Sequence, residues 1–302
     1  MAAPKAFNAT RGDKVFDICN VILMSLVLIV TLYPFLNVLA ISLNDSADSV
    51  RGGITIIPRV FTFENYQQIF QYDGLITGLR NSIIRTVAGT LLGLLSASML
   101  AYTLSRPDFQ ARKFTSTFLV VTMYVTGGLI PVYILFRDLH LLGTFWVYIL
   151  PGIVSAFNVI VIRSFIDGLP YALQESAKLD GANDFTIYWR IILPLCKPVL
   201  ATIALFLAVG QWNSWFDSYL YNGSHAEWTT LQFELMKVLQ STQQGGSGGM
   251  VNPNNMAEQM KQISPEAIKM AITVVVTVPI LVVYPFLQKY FVSGMTLGAV
   301  KS

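Results

Sequence analysis

Leu169-Pro170, then Glu175-Ser176-Ala177-Lys178-Leu179-Asp180-Gly181-Ala182, then Ile191-Ile192-Leu193-Pro194 with Pro198 behind it, form a polar island in an apolar chain. The island occupies residues 165–198, and its polar part runs from Asp167 to Pro198. On either side, 144–162 and 199–215 approach the roughly 20 apolar residues that a membrane-spanning helix needs. A polar segment between two spans belongs at a membrane surface. Its spacing predicts a short helix over 175–180, ended by Gly181 in the left-handed conformation. A second amphipathic helix over 184–192 should follow, and the chain should turn back into the membrane at Pro194. Together these make a helix-turn-helix knob.

Working outward, the same logic gives six spans, at 16–41, 81–104, 114–136, 144–162, 199–215 and 270–291, in one all-helical membrane domain covering 1–302. The composition agrees, with 54% apolar and 12% charged residues in 302, where soluble domains average about 25% charged. The net charge is +3, and the basic residues are scattered with no aromatic-interleaved stripe, which excludes a nucleic-acid partner. Lys5, Arg11 and Lys14 precede an apolar run over 21–43, too long for a signal h-region, so an uncleaved first span is expected. Cys19 and Cys196 both fall beside spans on the side read as cytoplasmic, where a structural disulfide is not expected.

Pro34, Pro131 and Pro279 lie inside three spans and should kink them, unless neighbouring helices re-satisfy the freed backbone. Gly89, Gly93, Ser96 and Ala97 share one side of the second span and permit close packing. Asn81 and Arg85, near its start, are read as snorkelling to the interface in preference to forming a polar transport site. Orientation follows from basic residues. With the N-terminus inside, Lys5, Arg11, Lys14, Arg106, Arg112, Lys113, Arg163, Lys178, Arg190, Lys197, Lys289 and Lys301 are cytoplasmic. Against these, Arg51, Arg59, Arg80, Arg137, Lys237, Lys261 and Lys269 lie outside. Both termini are therefore expected inside, with long outer loops over 44–80 and 218–269. The second loop holds Gly245-Gly246-Ser247-Gly248-Gly249 and Asn252-Pro253-Asn254-Asn255, which disfavour regular structure. That glycine cluster lacks the Lys-Ser/Thr of a phosphate-binding loop.

The knob resembles the cytoplasmic loop of permease subunits of binding-protein-dependent ABC importers. That loop carries Glu-Ala-Ala, Gly three residues later, and then Ile-x-Leu-Pro. Glu175, Ala177, Asp180, Gly181, Ile191, Leu193 and Pro194 match in order and spacing, Ser176 replaces the first Ala, and Ala182 follows. Thr31-Leu32-Tyr33-Pro34-Phe35, Gly127-Gly128-Leu129-Ile130-Pro131, Gln211-Trp212-Asn213-Ser214-Trp215 and Tyr284-Pro285-Phe286-Leu287-Gln288-Lys289-Tyr290-Phe291 look like the carbohydrate-uptake branch. So does Gly298-Ala299-Val300-Lys301. The likeness is greatest to permeases for oligosaccharides from complex or acidic polysaccharides, such as alginate, pectin and xylan fragments. The resemblance implies a six-span type I importer permease that docks its loop on an ATPase subunit. It also implies a second homologous permease, two ATPase subunits that bind the ATP and Mg, and an extracytoplasmic solute-binding protein. This chain itself would carry no cofactor.

For the solute path, sugars favour aromatic faces beside amide and carboxylate partners. Gln211, Trp212, Asn213, Trp215, Asp217 and Tyr219 offer that mixture, although Trp and Tyr also populate membrane interfaces. Asn37 and Asn158 are further amide candidates, each with the alternative of bonding a neighbouring helix. His140 and His225 have no ligand-spaced partners and are not expected to bind metal. Two other classes compete. A membrane-embedded glycosyltransferase would need clustered surface carboxylates, but Asp45 and Asp48 read better as turn residues. An ion-coupled secondary transporter would need ionisable residues in mid-membrane, and the spans are nearly free of them.

Overall fold

The computed structural model describes residues 11–244 and 265–299, and every regular element in them is helical. The expectations for Ser247, the glycine cluster, 252–255, Lys5, Lys261, Val300 and Lys301 lie outside the described residues. In chain order the helices are α1 (Arg11–Ser42), α2 (Ser46–Ser49), α3 (Glu64–Phe70), α4 (Asp73–Ser105), α5 (Arg112–Tyr124), α6 (Leu129–Asp138) and α7 (Ala156–Asp167). They continue as α8 (Ala172–Leu179), α9 (Asp184–Ile187), α10 (Leu193–Leu195), α11 (Lys197–Asn213), α12 (Phe216–Asn222), α13 (Leu231–Gln244) and α14 (Pro265–Ala299). Among the described residues, three helices are long and apolar enough to cross a membrane, beginning at Gly12, Asp73 and Glu266. Three bent pairs meet the same test, and the count reaches six when each pair is one span.

The chain divides into two compact units, the first made of Met1–Gln71 with Thr242–Val275 and the second of Tyr72–Ser241 with Val276–Ser302. In the first unit α1 leaves its apolar surface exposed from Val15 to Phe35, as a helix solvated by lipid does. The chain beyond it is stitched by buried amides. Asn44 donates to Asp48 Oδ2 and Ser49 Oγ and accepts from the Val60 amide, while Asn65 donates to the Ser42 and Asn44 carbonyls. Asp45 caps α2, and Asp48 pairs with Arg59 at 2.9 Å. The Asn44 hydrogen bond, then Arg59, holds the Asp48 carboxyl below its ordinary range. These acids stabilise a turn, as their sequence context suggests.

In the second unit α4 is the axis, packed on α7 and α11. Asn81, Arg85, Gly89, Gly93, Ala97 and Ala101 are all buried at a strict four-residue spacing, which lines one helix face. A Cβ on Gly78 would lie 3.0 Å from the Leu231 backbone, and one on Gly93 would lie 3.3 Å from Leu207. Small residues on this face set how closely α4 is approached.

Several expected spans are remodelled. The 114–136 segment breaks at Gly127-Gly128, where Gly128 has φ +82°, and α5 and α6 meet at 118°. Pro131 does not cause the break, because it sits in the first turn of α6, where its missing N–H is not needed. The 144–162 segment is two 3₁₀ turns, Phe145–Tyr148 and Leu150–Gly152, bent 44° from α7. Pro34 and Pro279 lie within helices that run on through them. Helix also extends into the segments expected to be outer loops, with α4 starting at Asp73 and α12 and α13 occupying much of 218–244.

Candidate functional site

Two features stand at opposite ends of α11, whose 17 residues span about 25 Å. At its N-terminal end is the knob. α8 ends in a complete Schellman motif, with Gly181 N–H bonding the Lys178 carbonyl at 3.0 Å and Ala182 N–H bonding the Ala177 carbonyl at 2.9 Å. Gly181 has φ +82° and open space around its Cβ position, so backbone conformation alone selects glycine there. Ala177 is buried, while Glu175, Ser176 and Asp180 are exposed. Asn183 then caps α9 by accepting from the Thr186 amide at 2.8 Å.

The expected helix over 184–192 is not uniform. Tyr188–Ile192 is a π-helical turn that leads into Leu193 and Pro194. Pro194 has no N–H to offer the carbonyl four residues back, and its ring crowds that carbonyl, so the turn before it widens. Ile191 and Leu193 pack half-buried against the core, whereas Pro194 is exposed.

The knob is anchored to α4 on one side and bare on the other. Tyr188 is buried, its hydroxyl 2.8 Å from Ser98 Oγ and its ring 5.6 Å from that of Tyr102. Arg106, just past α4, binds Asp108 and Asp184 together, and Lys178 reaches Asp108 at 3.4 Å. The Arg106 hydrogen bond, then the charges of Arg106 and Lys178, holds the Asp108 carboxyl well below its usual range. Facing outward, Leu179 is 89% exposed and Phe185 stacks on Trp189 at 6.1 Å, both rings exposed. These three apolar residues were missed in the sequence. The available signal was the four-residue spacing of Phe185 and Trp189, which puts both on one helix face.

At the C-terminal end of α11 is a cavity of about 440 Å³ with a mostly apolar lining that includes Phe136, Val147, Phe206 and Leu207, to which Arg85, Tyr148, Gln211, Ser214, Asp217 and Tyr221 bring polar groups. The snorkelling reading of Arg85 and Asn81 is wrong. Arg85 is 1% exposed and bonds Asp217 through both carboxylate oxygens, at 3.2 and 2.5 Å. Its Nε donates to Gln211 Oε1 at 3.1 Å, and its guanidinium lies 4.5 Å over the Tyr148 ring. A guanidinium within a span is held by a half-buried carboxylate in place of water. Asn81 donates to the Glu227 and Thr229 carbonyls, 2.8 Å each.

The expected solute residues converge in part, since Gln211 and Asp217 line the cavity and both bond Arg85, while the others scatter. Gln211 lines the cavity and donates to the Tyr148 carbonyl at 3.3 Å. Trp212, one residue on, is buried and donates to the Val276 carbonyl at 3.0 Å, where it lines a separate apolar pocket with Pro279. Asn213 is exposed and accepts from Gln232. Trp215 packs against Phe216 and Tyr219. Asn158 is buried in α7 and lines neither pocket. Asn37, in the first unit, donates to the Ile54 and Thr55 carbonyls. Consecutive helical residues diverge by about 100°, so Gln211, Trp212 and Asn213, which end α11, face different ways.

A family model described as the binding-protein-dependent transport system inner membrane component matches residues 89–297. The chain belongs to that family. Within it, the chain is 37% identical over 301 residues to Protein LplC of Bacillus subtilis, covering the whole of both. It is 36% identical to the polygalacturonan/rhamnogalacturonan transport system permease protein YtcP of the same organism, over 96% of this chain and 99% of that one. A crystal structure of a bacterial ABC transporter involved in the import of the acidic polysaccharide alginate contains a chain that superposes with TM-score 0.81 at 29% identity. The superposition covers 93% of this chain and 98% of that one. The chain is thus an inner-membrane transport component with the all-helical importer-permease fold, and the family match spans the knob and every cavity-lining residue but Arg85.

Proposed function

We propose that this inner-membrane component is one permease of an ATP-driven importer that moves oligosaccharides delivered by an extracytoplasmic binding protein. It works beside a second homologous permease. The knob carried by α8 and α9 docks on ATPase subunits that hold the ATP and Mg, with Glu175, Ser176, Ala177, Asp180, Gly181, Ala182, Ile191, Leu193 and Pro194 shaping it. The observation that carries the reading is the knob itself. Its bare face of Leu179, Phe185 and Trp189 beside Glu175 suits a protein partner, and its other face is tied to α4 and α11, which run to the cavity. The names of the polygalacturonan/rhamnogalacturonan and alginate systems support an oligosaccharide cargo from polysaccharides that contain acidic sugars. Of the expected path residues, Gln211 and Asp217 line the cavity.

ATP hydrolysis by the reconstituted four-subunit core, stimulated by saccharide-loaded binding protein, tests the docking role. Glu175→Lys places a cation on the exposed face of α8 without touching a buried group, and stimulation should fall at least tenfold while the complex still assembles. Stimulation at the wild-type level would contradict the docking role.

A further inference from the structure

The cavity at the end of α11 combines an unusual set of groups. Arg85 brings a positive charge into the span, but four of its five N–H donors are already engaged: Nε by Gln211, two by the Ser214 carbonyl and Asp217 Oδ1, and one by Asp217 Oδ2. One face of the guanidinium is also covered by Tyr148, whose hydroxyl is committed to Ser218 and the Trp228 carbonyl. Asp217 differs. Both residues line the cavity, and the Asp217 side chain is 21% exposed against 2% for that of Arg85, so the carboxylate is the more accessible member of the pair. Oδ1 already accepts from Arg85 and from the Ser218 amide, which leaves acceptor capacity on Oδ2.

We infer that this cavity is a binding subsite for one uncharged sugar ring of the transported oligosaccharide, with Asp217 accepting from the ring hydroxyls and Tyr221 and Phe136 supplying the apolar wall. The inference rests on the importer reading above and specifies its cargo. A sugar ring presents hydroxyl donors at its rim and CH groups on its faces, and the lining answers both. Tyr221 is stiffened by stacking on Tyr133 at 6.0 Å and by the edge of Phe136 at 5.2 Å, so the wall is preformed. The volume is that of an ordinary small-ligand site.

A uronate carboxylate fits poorly. It would meet the Asp217 carboxylate in a low-dielectric setting, and it would have to displace Asp217 from Arg85 to gain a cation. Arg85 is also the only Lys or Arg among the described residues that line the cavity. An oligosaccharide with both acidic and neutral rings would therefore place a neutral one here.

The test uses the complete transporter, both permeases with the ATPase subunits, in lipid nanodiscs. Equilibrium binding is measured for galactotriose, for trigalacturonate, which differs from it by a carboxylate on each ring, and for an alternating rhamnogalacturonan tetrasaccharide. Galactotriose and the tetrasaccharide should bind more tightly than trigalacturonate. Asp217→Asn should weaken both roughly tenfold, the loss expected for one hydrogen bond to a charged acceptor. Because Asn leaves Arg85 unpaired and the fold at risk, the double variant Arg85→Met, Asp217→Leu is the companion. It removes the acceptor without stranding a charge and should give the same loss. Trigalacturonate bound more tightly than galactotriose, with that advantage lost in the double variant, would overturn the inference in favour of an anion site. Unchanged affinities in both variants would overturn it as well, while vesicle uptake of any of these saccharides would leave the importer reading standing.

Discussion

Two glycines with different surroundings separate packing from propensity at the scale of single residues. A Cβ on Gly89 would fall 2.8 Å from the Gln211 side chain, which is pinned by Arg85 and by the Tyr148 carbonyl. Alanine normally gains up to about 1 kcal/mol over glycine within a helix, whereas overpacking a fixed neighbour costs about 1–3 kcal/mol. Gly89→Ala should therefore be net destabilising by roughly 1 kcal/mol, read as a lower thermal midpoint of the purified protein. Gly210, also in a helix, has nothing within 4 Å of its Cβ position. Gly210→Ala should raise the midpoint instead. A higher midpoint for Gly89→Ala would mean that Gln211 is not held as described. None of this was legible from the sequence, where Gly89 read only as a small residue. Its constraint comes from a side chain 122 positions away, and the Arg85–Asp217 pair spans 132 positions.

The elements show where local reading succeeds. The left-handed Gly181 is dictated by bonds within six residues, so the Glu175–Ala182 pattern was enough to place it. Gly181→Val should disrupt the Schellman turn at a cost of about 1 kcal/mol or more, with Gly181→Asn milder because Asn tolerates that conformation. Hydrogen exchange of the α8 amides would show the order Val, Asn, wild type, and equal protection in all three would contradict it. The break between α5 and α6 was misassigned for the opposite reason, since a proline and a Gly-Gly pair lay four residues apart and only the fold chose between them. The π turn ahead of Pro194 likewise depends on where Tyr188 is anchored. The clamp on the knob also has a pH signature. The Asp108 carboxyl is held below its ordinary value, so its contribution is complete above that value, about 4. The contribution is lost only as pH falls through the depressed one. Protection of α8 should stay constant from pH 8 to 5 after correction for intrinsic rates, and should fall only under about pH 4. These exposed pairs are screened by salt, so 1 M salt at pH 7 should also loosen the knob.

For the whole molecule, composition and span length revealed a six-span helical protein, because burying a backbone in lipid leaves few alternatives to helices. What they did not reveal is which spans are bent pairs. Orientation is open to a direct test. In a background lacking Cys19 and Cys196, single cysteines at Asn183 and Glu227, both exposed and both in the second unit, should label from opposite sides of the membrane, Asn183 from the cytoplasmic side. Labelling of both from one side would overturn the topology. The account as a whole is tested most directly by uptake into vesicles that contain both permeases, the ATPase subunits and the binding protein. The account predicts ATP-dependent accumulation of oligosaccharide that is abolished when the knob is altered at Glu175 or Gly181. Accumulation of amino acids or metal ions with no saccharide, or saccharide uptake unaffected by either knob variant, would contradict it.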